Sequence, residues 1–434
     1  MAVWLENTDP EFDRKFASFL AEPRGEEQDV VGIVSEIIQS VRQQGGAAVA
    51  DYTRRFDRVD LDPASLSNPQ LDLAALADTC PDTVKAAIDF AHDRIAAYHE
   101  AQTPPDHKFE DGHGMTLGWR WTALSSVGVY VPGGRANYPS SVLMNMVPAK
   151  VAGVKRIVMV APTPDGVLSP AVAYAAIRAG VQEFYPIGGA QAVAALAYGA
   201  GDLKPVDKIV GPGNAFVAEA KRQVFGKVGI DTIAGPSEVC IIADGSVPAD
   251  WIAADLLSQA EHDPAAQSIL ITLDAHYGKA VEAALEDQLT RLPTGETARR
   301  SWSNHGAIIL ADSLGAACAI SDQIAPEHLE LAIENAESVV SNIHHAGAVF
   351  VGAWAPEALG DYVTGSNHVL PTSGAARFSS GLGLYDFMKR MSVQSATEAG
   401  FHHLAEAAMA LAEAEHLPAH QHSVSIRLGK DTPV

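Results

Sequence analysis

Short apolar runs alternate with segments of helical length from Val127 to Val351, and this alternation constrains the fold more than any other feature. Strands are predicted at 127–131, 157–160, 184–187 and 208–210. Helices are predicted over 141–152, 170–180, 191–198 and 215–225. Past Gly235-Pro236-Ser237 the pattern restarts, with strands at 239–243, 268–272, 307–311 and 348–351. The helices of this second run are predicted from about 249 to Pro264, around 279–292, up to about 324, and over 329–345. A helix between two strands carries the chain back over the sheet, so the strands run parallel and the helices cover both faces. The expectation is an α/β protein with two doubly wound domains that part near residue 238.

The flanking segments read differently. Thr8-Asp9-Pro10-Glu11 is a helix start, and Phe12, Phe16, Phe19 and Leu20 give the following turns one apolar face. A second amphipathic helix carries Val30, Val34, Ile37, Ile38 and Val41 and stops at Gly45-Gly46; a third runs over 83–98. Met115, Leu117, Trp119 and Trp121 alternate with smaller or polar residues, which is the period of a strand. Beyond Gly383 the chain is expected to be helical and Ala-rich, ending in a strand-like run over 423–428.

Composition narrows the function classes. A chain of 434 residues exceeds one ordinary core, and 47% hydrophobic with 19% charged residues is a folded composition. Thirty Lys and Arg against 53 Asp and Glu leave a net charge of −23, which opposes nucleic acid and anionic membranes as partners. No apolar stretch reaches membrane-spanning length, and the N-terminal residues do not read as a secretory signal. Cys80, Cys240 and Cys318 are odd in number and widely spaced, which fits neither a disulfide framework nor a thiolate metal site. A cytoplasmic location is expected.

Several polar residues stand out against apolar surroundings. Gln259 and His262 are three apart near the end of a predicted helix and share a face, although such a pair is more often solvated than metal-bound. Glu327-His328 places a carboxylate beside an imidazole, which suits acid–base work, or else simply opens a helix after Pro326. Gly360-Asp361-Tyr362 and Ser366-Asn367-His368 follow the strand at 348–351, and ligand groups in open α/β sheets gather at strand ends. Ordinary turn chemistry would also explain Asp361 and Asn367. His420 lies in the tail, where a lone histidine is usually solvated. Taken together, Gln259, His262, Asp361 and His420 offer only oxygen and nitrogen, a donor set for zinc and not for an iron–sulfur cluster. The glycine loops at Gly133-Gly134, Gly188-Gly189 and Gly211-Pro212-Gly213-Asn214 lack the usual dinucleotide spacing, and Phe216 stands where a third glycine would be.

The ordered motifs nevertheless match one family over most of the chain. They include Gly128-Val129-Tyr130-Val131-Pro132-Gly133-Gly134, Gly188-Gly189-Ala190-Gln191-Ala192, Ala234-Gly235-Pro236-Ser237-Glu238-Val239 and Asp255-Leu256-Leu257-Ser258-Gln259-Ala260-Glu261-His262. Glu327-His328-Leu329, Gly360-Asp361-Tyr362, Asn367-His368-Val369-Leu370-Pro371-Thr372 and Arg377-Phe378-Ser379-Ser380-Gly381-Leu382 continue the series. The chain resembles the histidinol dehydrogenase family, with little family signal over residues 1–28.

That resemblance implies NAD⁺-dependent oxidation of L-histidinol to L-histidine through a bound aldehyde, the last steps of histidine biosynthesis. It implies Zn²⁺ held by Gln259, His262 and Asp361, with His420 supplied by the other chain of a homodimer, and Glu327 and His328 as the acid–base pair. Ser237, His368 and Glu415 match substrate-contacting positions, together with Gln259, His262, His328, Asp361 and His420. Tyr130, Gln191 and Asn214 match positions assigned to NAD⁺. The implied fold is two incomplete Rossmann-like doubly wound domains with helical N- and C-terminal segments, built into an intertwined dimer. The expected divisions are an N-terminal segment over 1–28, a metal and substrate domain over 29–129 with 239–381, an NAD domain over 130–238, and a tail over 382–434 that reaches the partner.

The implied roles are chemically coherent. One Asp with neutral Gln and His ligands leaves the site a net charge near +1, and the zinc orients the substrate while NAD⁺ takes hydride. His328 is the base for the alcohol proton and Glu327 activates the water that adds to the aldehyde. Cys240 lies within an apolar strand and is expected to be a buried structural thiol, not a nucleophile. His416 stands where the family commonly has Gly, so His416, His420 and His422 compete as the tail ligand; Ser366 occupies another variable position. The alternatives are a paralogue oxidising another small amino alcohol or diol, a zinc hydrolase using Glu327, and a non-catalytic nucleotide-binding module. NADH yield separates them.

Overall fold

A computed structural model describes residues 2–24, 30–68, 70–133, 138–233 and 235–429. Gly134, Arg135, Ala136 and Asn137 of the expected glycine-rich loop lie outside the described residues, as do Ala234 of the motif before Ser237, residues 25–28 of the N-terminal segment and the last residues of the tail. The chain forms two compact units, one of Met1–Gln102 with Leu124–Phe387 and one of Thr103–Ala123 with Met388–Val434.

Numbered along the chain, the strands are β1 (Val3–Glu6), β2 (His107–Glu110), β3 (Met115–Ala123), β4 (Ser126–Tyr130), β5 (Arg156–Val160), β6 (Glu183–Tyr185) and β7 (Lys208–Val210). They continue with β8 (Gly229–Ile230), β9 (Glu238–Ala243), β10 (Gln267–Thr272), β11 (Ala307–Leu310), β12 (His328–Ala332), β13 (Ala348–Val351) and β14 (Met388–Ala396).

The first unit holds two parallel sheets. One has the order β6-β5-β4-β7-β8 and the other the order β1-β11-β10-β9-β12-β13. In each, the chain moves outward one way from a central strand, β4 or β9, and later returns to the other side of it. β4, β9, β10 and β12 are buried along their whole length. Helices cover both faces, so β4, β9 and β10 read largely as apolar runs, whereas β12 alternates because it buries His328 and Glu330. Full burial of each Val, Ile or Leu contributes about 1.5–3 kcal/mol. The helix Gly189–Tyr198 is buried over most of its surface by small alanines, which let it lie close against the first sheet.

Three expectations fail in instructive ways. The helix over 329–345 is absent: His328–Ala332 is strand β12, followed by short 3-10 turns at Ala336–Ser338 and Val340–Asn342. β12 lies between β9 and β13, and its Glu330 is buried beside Leu329 and Leu331, so a polar residue imitated a solvent face. At the N-terminus, Val3–Glu6 pairs with β11 and completes the sheet's edge, a run too short to announce itself. In the tail, Met388–Ala396 is a strand, while 423–428 belongs to the helix Pro418–Ser425 and a 3-10 turn, Ile426–Leu428. The helices Gly46–Asp57 and Gly295–His305 were also not anticipated.

In the second unit, β14, β3 and β2 form an antiparallel sheet, with Met388 opposite Ala123 and Ala396 opposite Met115. The helices Glu398–Ala414 and Pro418–Ser425 follow. Among the described residues, no helix is long and apolar enough to cross a membrane.

Candidate active site and metal centre

Glu327 and His328, the expected acid–base pair, sit where β12 begins. Parallel pairing sets His328 opposite Val239, so Glu238, the first residue of β9, lies beside both Glu327 and His328. Its N–H donates to Glu327 Oε2 at 2.9 Å, and its carbonyl accepts from His328 Nδ1 at 2.9 Å. A carbonyl only accepts, so Nδ1 carries a hydrogen, and in the neutral imidazole Nε2 is then the nitrogen with the lone pair. Nε2 is buried, has no hydrogen-bond partner among the described residues, and lies 3.8 Å from Asp361 Oδ1.

Asp361 reaches this place on the helix Glu357–Tyr362. The Glu357 N–H donates to Glu330 Oε1 at 2.6 Å, which fixes the start of that helix against β12. Gly360 lets it lie close, because a Cβ there would fall 2.4 Å from the Phe350 ring. Glu357 and Asp361 are four apart and share a face. The Glu357 carboxylate lies 3.8 Å from His328 Nδ1 and accepts from Ser258 Oγ at 3.2 Å. His328, Glu357 and Asp361 can each offer one ligand atom, all within 4.8 Å of one another. Glu357 was not singled out in the sequence; its spacing from Asp361, directly after Pro356, was the available signal.

Burial dominates the electrostatics. It pushes the carboxyl of Glu327 up to about 8, against the opposing pull of His328 and the Glu238 N–H. Glu357 is likewise pushed up to about 8 by burial, with Asp361 adding to the rise. Behind them, burial lifts Asp255 to about 6 and Glu330 well above the usual carboxylate range. Those two carboxyls hydrogen-bond each other, so one of the pair holds a proton. Burial lowers His368, whose Nδ1 donates to the Asp361 carbonyl at 3.0 Å and whose Nε2 lies 3.4 Å from Ser141 Oγ.

Gln259 and His262 differ more than their spacing implied. Gln259 is buried in the last turn of the helix Ala249–Ala260, and its Oε1 has no partner among the described residues. His262 lies just past the helix end, exposed, with its N–H on the Gln259 carbonyl at 3.2 Å. Both His262 and His328 lie close enough to act electrostatically on His368, so the three imidazoles share one neighbourhood. Ser237 precedes β9, and its carbonyl accepts from the Gln267 N–H at 3.0 Å. Glu415 and His420 belong to the second unit; Glu415 ends the helix Glu398–Ala414, and both are exposed.

The three residues matched to NAD⁺ lie elsewhere in the first unit, at the carboxyl ends of its first sheet. Tyr130 ends β4; its hydroxyl accepts from the Gly189 N–H at 3.0 Å, and burial pushes it up to about 12. Gln191 is buried, with an unpartnered Oε1 among the described residues, and Asn214 caps the helix Ala215–Val224. Gly211 has φ +111°, and a Cβ there would fall 2.1 Å from the Tyr130 carbonyl. Its N–H donates to Asp231 Oδ2 at 2.7 Å, its carbonyl accepts from Lys221 Nζ at 3.0 Å, and those two side chains form a buried ion pair. The acid–base pair lies instead at the beginnings of β9 and β12. Asp361 and His368, the residues expected after the strand at 348–351, do follow β13, whereas Glu327 and His328 stand at a strand beginning.

Cys80, Cys240 and Cys318 are all free and buried, and burial holds the Cys240 thiol far above its ordinary range. A thiol that does not ionise is a poor nucleophile.

The family model for histidinol dehydrogenase matches residues 20–428. A histidinol dehydrogenase of Mesorhizobium japonicum is 56% identical over 428 residues, covering 99% of this chain and 100% of that protein. One from Caulobacter vibrioides is 56% identical over 421 residues, covering 97% and 98%. The crystal structure of histidinol dehydrogenase from Elizabethkingia anophelis superposes with a TM-score of 0.93 at 35% identity, covering 99% of this chain and 98% of that one. With a family match of that extent and relatives more than half identical over nearly the whole length, this chain belongs to the histidinol dehydrogenase family.

Proposed function

We propose that the chain oxidises L-histidinol to L-histidine through a bound aldehyde, reducing two NAD⁺ in turn, and that Glu327 and His328 divide the proton work. The carrying observation is the orientation of His328: its Nδ1–H is committed to the Glu238 carbonyl and its Nε2 lone pair is buried and unpartnered among the described residues. In the first oxidation, Nε2 takes the hydroxyl proton as hydride leaves the carbinol carbon for NAD⁺. In the second, Glu327 takes a proton from water as the water oxygen bonds to the aldehyde carbon; hydride from the resulting hydrate anion then reduces the second NAD⁺ and leaves the carboxylic acid, which gives its proton to solvent to become the carboxylate. Burial gives Glu327 a high proton affinity, which strengthens it as a base once ionised.

The donor set fits a zinc ion. The buried, unpartnered oxygen of Gln259 and the carboxylate of Asp361 are oxygen donors, and His262 is exposed and free to turn inward. Gln259, His262 and Asp361, with His420 of a second copy of this chain, would hold it. When bound, the zinc supplies a positive charge that orients the imidazole-bearing amino alcohol. Ser237, His368 and Glu415 are proposed to contact the substrate, and Tyr130, Gln191 and Asn214 the NAD⁺.

The centre-out strand orders support reading both sheets as incomplete Rossmann-like domains, with 130–238 serving NAD⁺ and 29–129 with 239–381 serving metal and substrate. Residues 1–28 and 382–434 are the flanking segments of an intertwined homodimer in this reading. Three buried thiols without a disulfide support a cytoplasmic setting. The test is NADH yield per L-histidinol, with and without added zinc. Two NADH per substrate, dependent on zinc, is the expected result; no NADH, or turnover of another amino alcohol in preference, overturns the reading.

A further inference from the structure

Glu238 hydrogen-bonds the side chains of both Glu327 and His328, and it does so through its backbone. Its N–H holds the Glu327 carboxylate at 2.9 Å and its carbonyl holds His328 Nδ1 at 2.9 Å. The aim of both catalytic side chains therefore depends on where the main chain of Glu238 lies. The Glu238 side chain is itself buried and tied at a single oxygen. Oε1 accepts from the Ser373 N–H at 3.1 Å and forms an ion pair with Arg24. That ion pair is nearly dry, with the two side chains 12% and 5% exposed.

Arg24 comes from the N-terminal part of the chain, within residues 1–28, the stretch that shows little family signal. Its partner is 214 positions away. A guanidinium so little exposed, three residues past the helix Phe12–Ala21, needs a matched charge to offset its desolvation. Here that charge belongs to the residue on which Glu327 and His328 are hung. We propose that Arg24 and Glu238 are positioning residues: their ion pair fixes the start of β9, and through its N–H and carbonyl it sets the geometry of the base and the water-activating carboxylate. The inference rests on the acid–base roles given to Glu327 and His328 above. It extends the active site to the N-terminal segment, which otherwise reads as packing.

The chemistry predicts a characteristic pattern. Neither Arg24 nor Glu238 is among the residues proposed to contact substrate or NAD⁺, so disturbing them is expected to change the alignment of proton transfer and not ground-state binding. Misalignment of about an ångström costs on the order of 100-fold in rate. Removing Arg24 alone leaves a buried unpaired carboxylate, whereas neutralising both partners restores a charge-balanced, hydrogen-bonded site. In Glu238→Gln the side-chain oxygen still accepts from the Ser373 N–H.

The experiment compares full-length Arg24→Met, Glu238→Gln and the double variant, each loaded with zinc and scored for metal content and thermal midpoint. L-histidinol and L-histidinal oxidation are followed separately. Arg24→Met is expected to lower kcat at least tenfold in both half-reactions, with KM for L-histidinol and zinc stoichiometry within twofold of the unmodified chain. The double variant is expected to recover most of that loss. Wild-type kcat in folded Arg24→Met overturns the proposal, as does a loss that simply follows the folded, zinc-loaded fraction, or a double variant no better than the single. Glu327→Gln and His328→Asn run alongside. If those two retain full activity, the acid–base reading itself has failed; if they are inactive while Arg24→Met is unaffected, only the positioning role has failed.

Discussion

At the scale of the residue, two neighbours in sequence are made unequal by one strand partner. Glu327 receives an N–H from Glu238 and His328 gives its Nδ1–H to the carbonyl of the same residue. One side chain is thus held as an acceptor and the other as a donor, with its second nitrogen free to accept. That asymmetry is what a two-stage oxidation needs, because only the second stage adds water. Glu327→Gln is expected to slow L-histidinal oxidation about 100-fold or more, and L-histidinol oxidation to the aldehyde much less. Single-turnover NADH formation from each substrate measures this, and equal losses would show that the two residues do not divide the work. Adjacent Glu and His were visible in the sequence, and the family resemblance implied their roles, but the contacts that hold each side chain were not visible there. The roles depend on β9, 90 positions away at the His328 contact.

At the scale of the element, the short helix Glu357–Tyr362 carries two acids into a site already crowded with them. Glu330 accepts its first N–H, Ser258 donates to Glu357, and burial raises both Glu357 and Glu327 from about 4.5 to about 8. A carboxyl raised in the folded state favours the protonated form there more than in the unfolded chain. Its stabilising contribution is complete below about pH 4.5 and is lost as pH rises through about 8. The thermal midpoint of the zinc-free protein is therefore expected to fall between pH 6 and pH 9, and Glu357→Gln is expected to flatten part of that fall. A midpoint that stays level or rises over this range in the unmodified protein would contradict it. The same crowding explains why β12 was mistaken for a helix. Buried Glu330 between Leu329 and Leu331 looks like the polar side of an amphipathic element, and only its neighbours reveal that it faces other carboxyls.

At the scale of the whole molecule, the first unit holds two parallel sheets with related strand orders, and the proposed function divides the labour between them. Its first sheet gathers Tyr130, Gln191 and Asn214 at carboxyl ends, and its second presents the acid–base pair at strand beginnings. His262 and His420 are both exposed, which fits ligands completed by a second copy of the chain. Mixed and equilibrated His262→Ala and His420→Ala chains are expected to regain a fraction of activity and zinc that neither has alone. Heterodimers that form and remain inactive would refute shared sites.

The sequence by itself determined the α/β class, the parallel sheets and the restart of the pattern near residue 238, because periodicity and helix length are local properties that each segment carries alone. Its motifs also marked Gln259, His262, Asp361 and His420 as one set, with Glu327 and His328 nearby. Only the tertiary structure decided that Glu357 joins them, that His328 keeps Nε2 free, and that Arg24 and Glu238 lie beneath the pair. These are facts about contacts between segments far apart in the chain, and a carboxylate or an arginine looks the same in a sequence whether water or another charge is waiting for it.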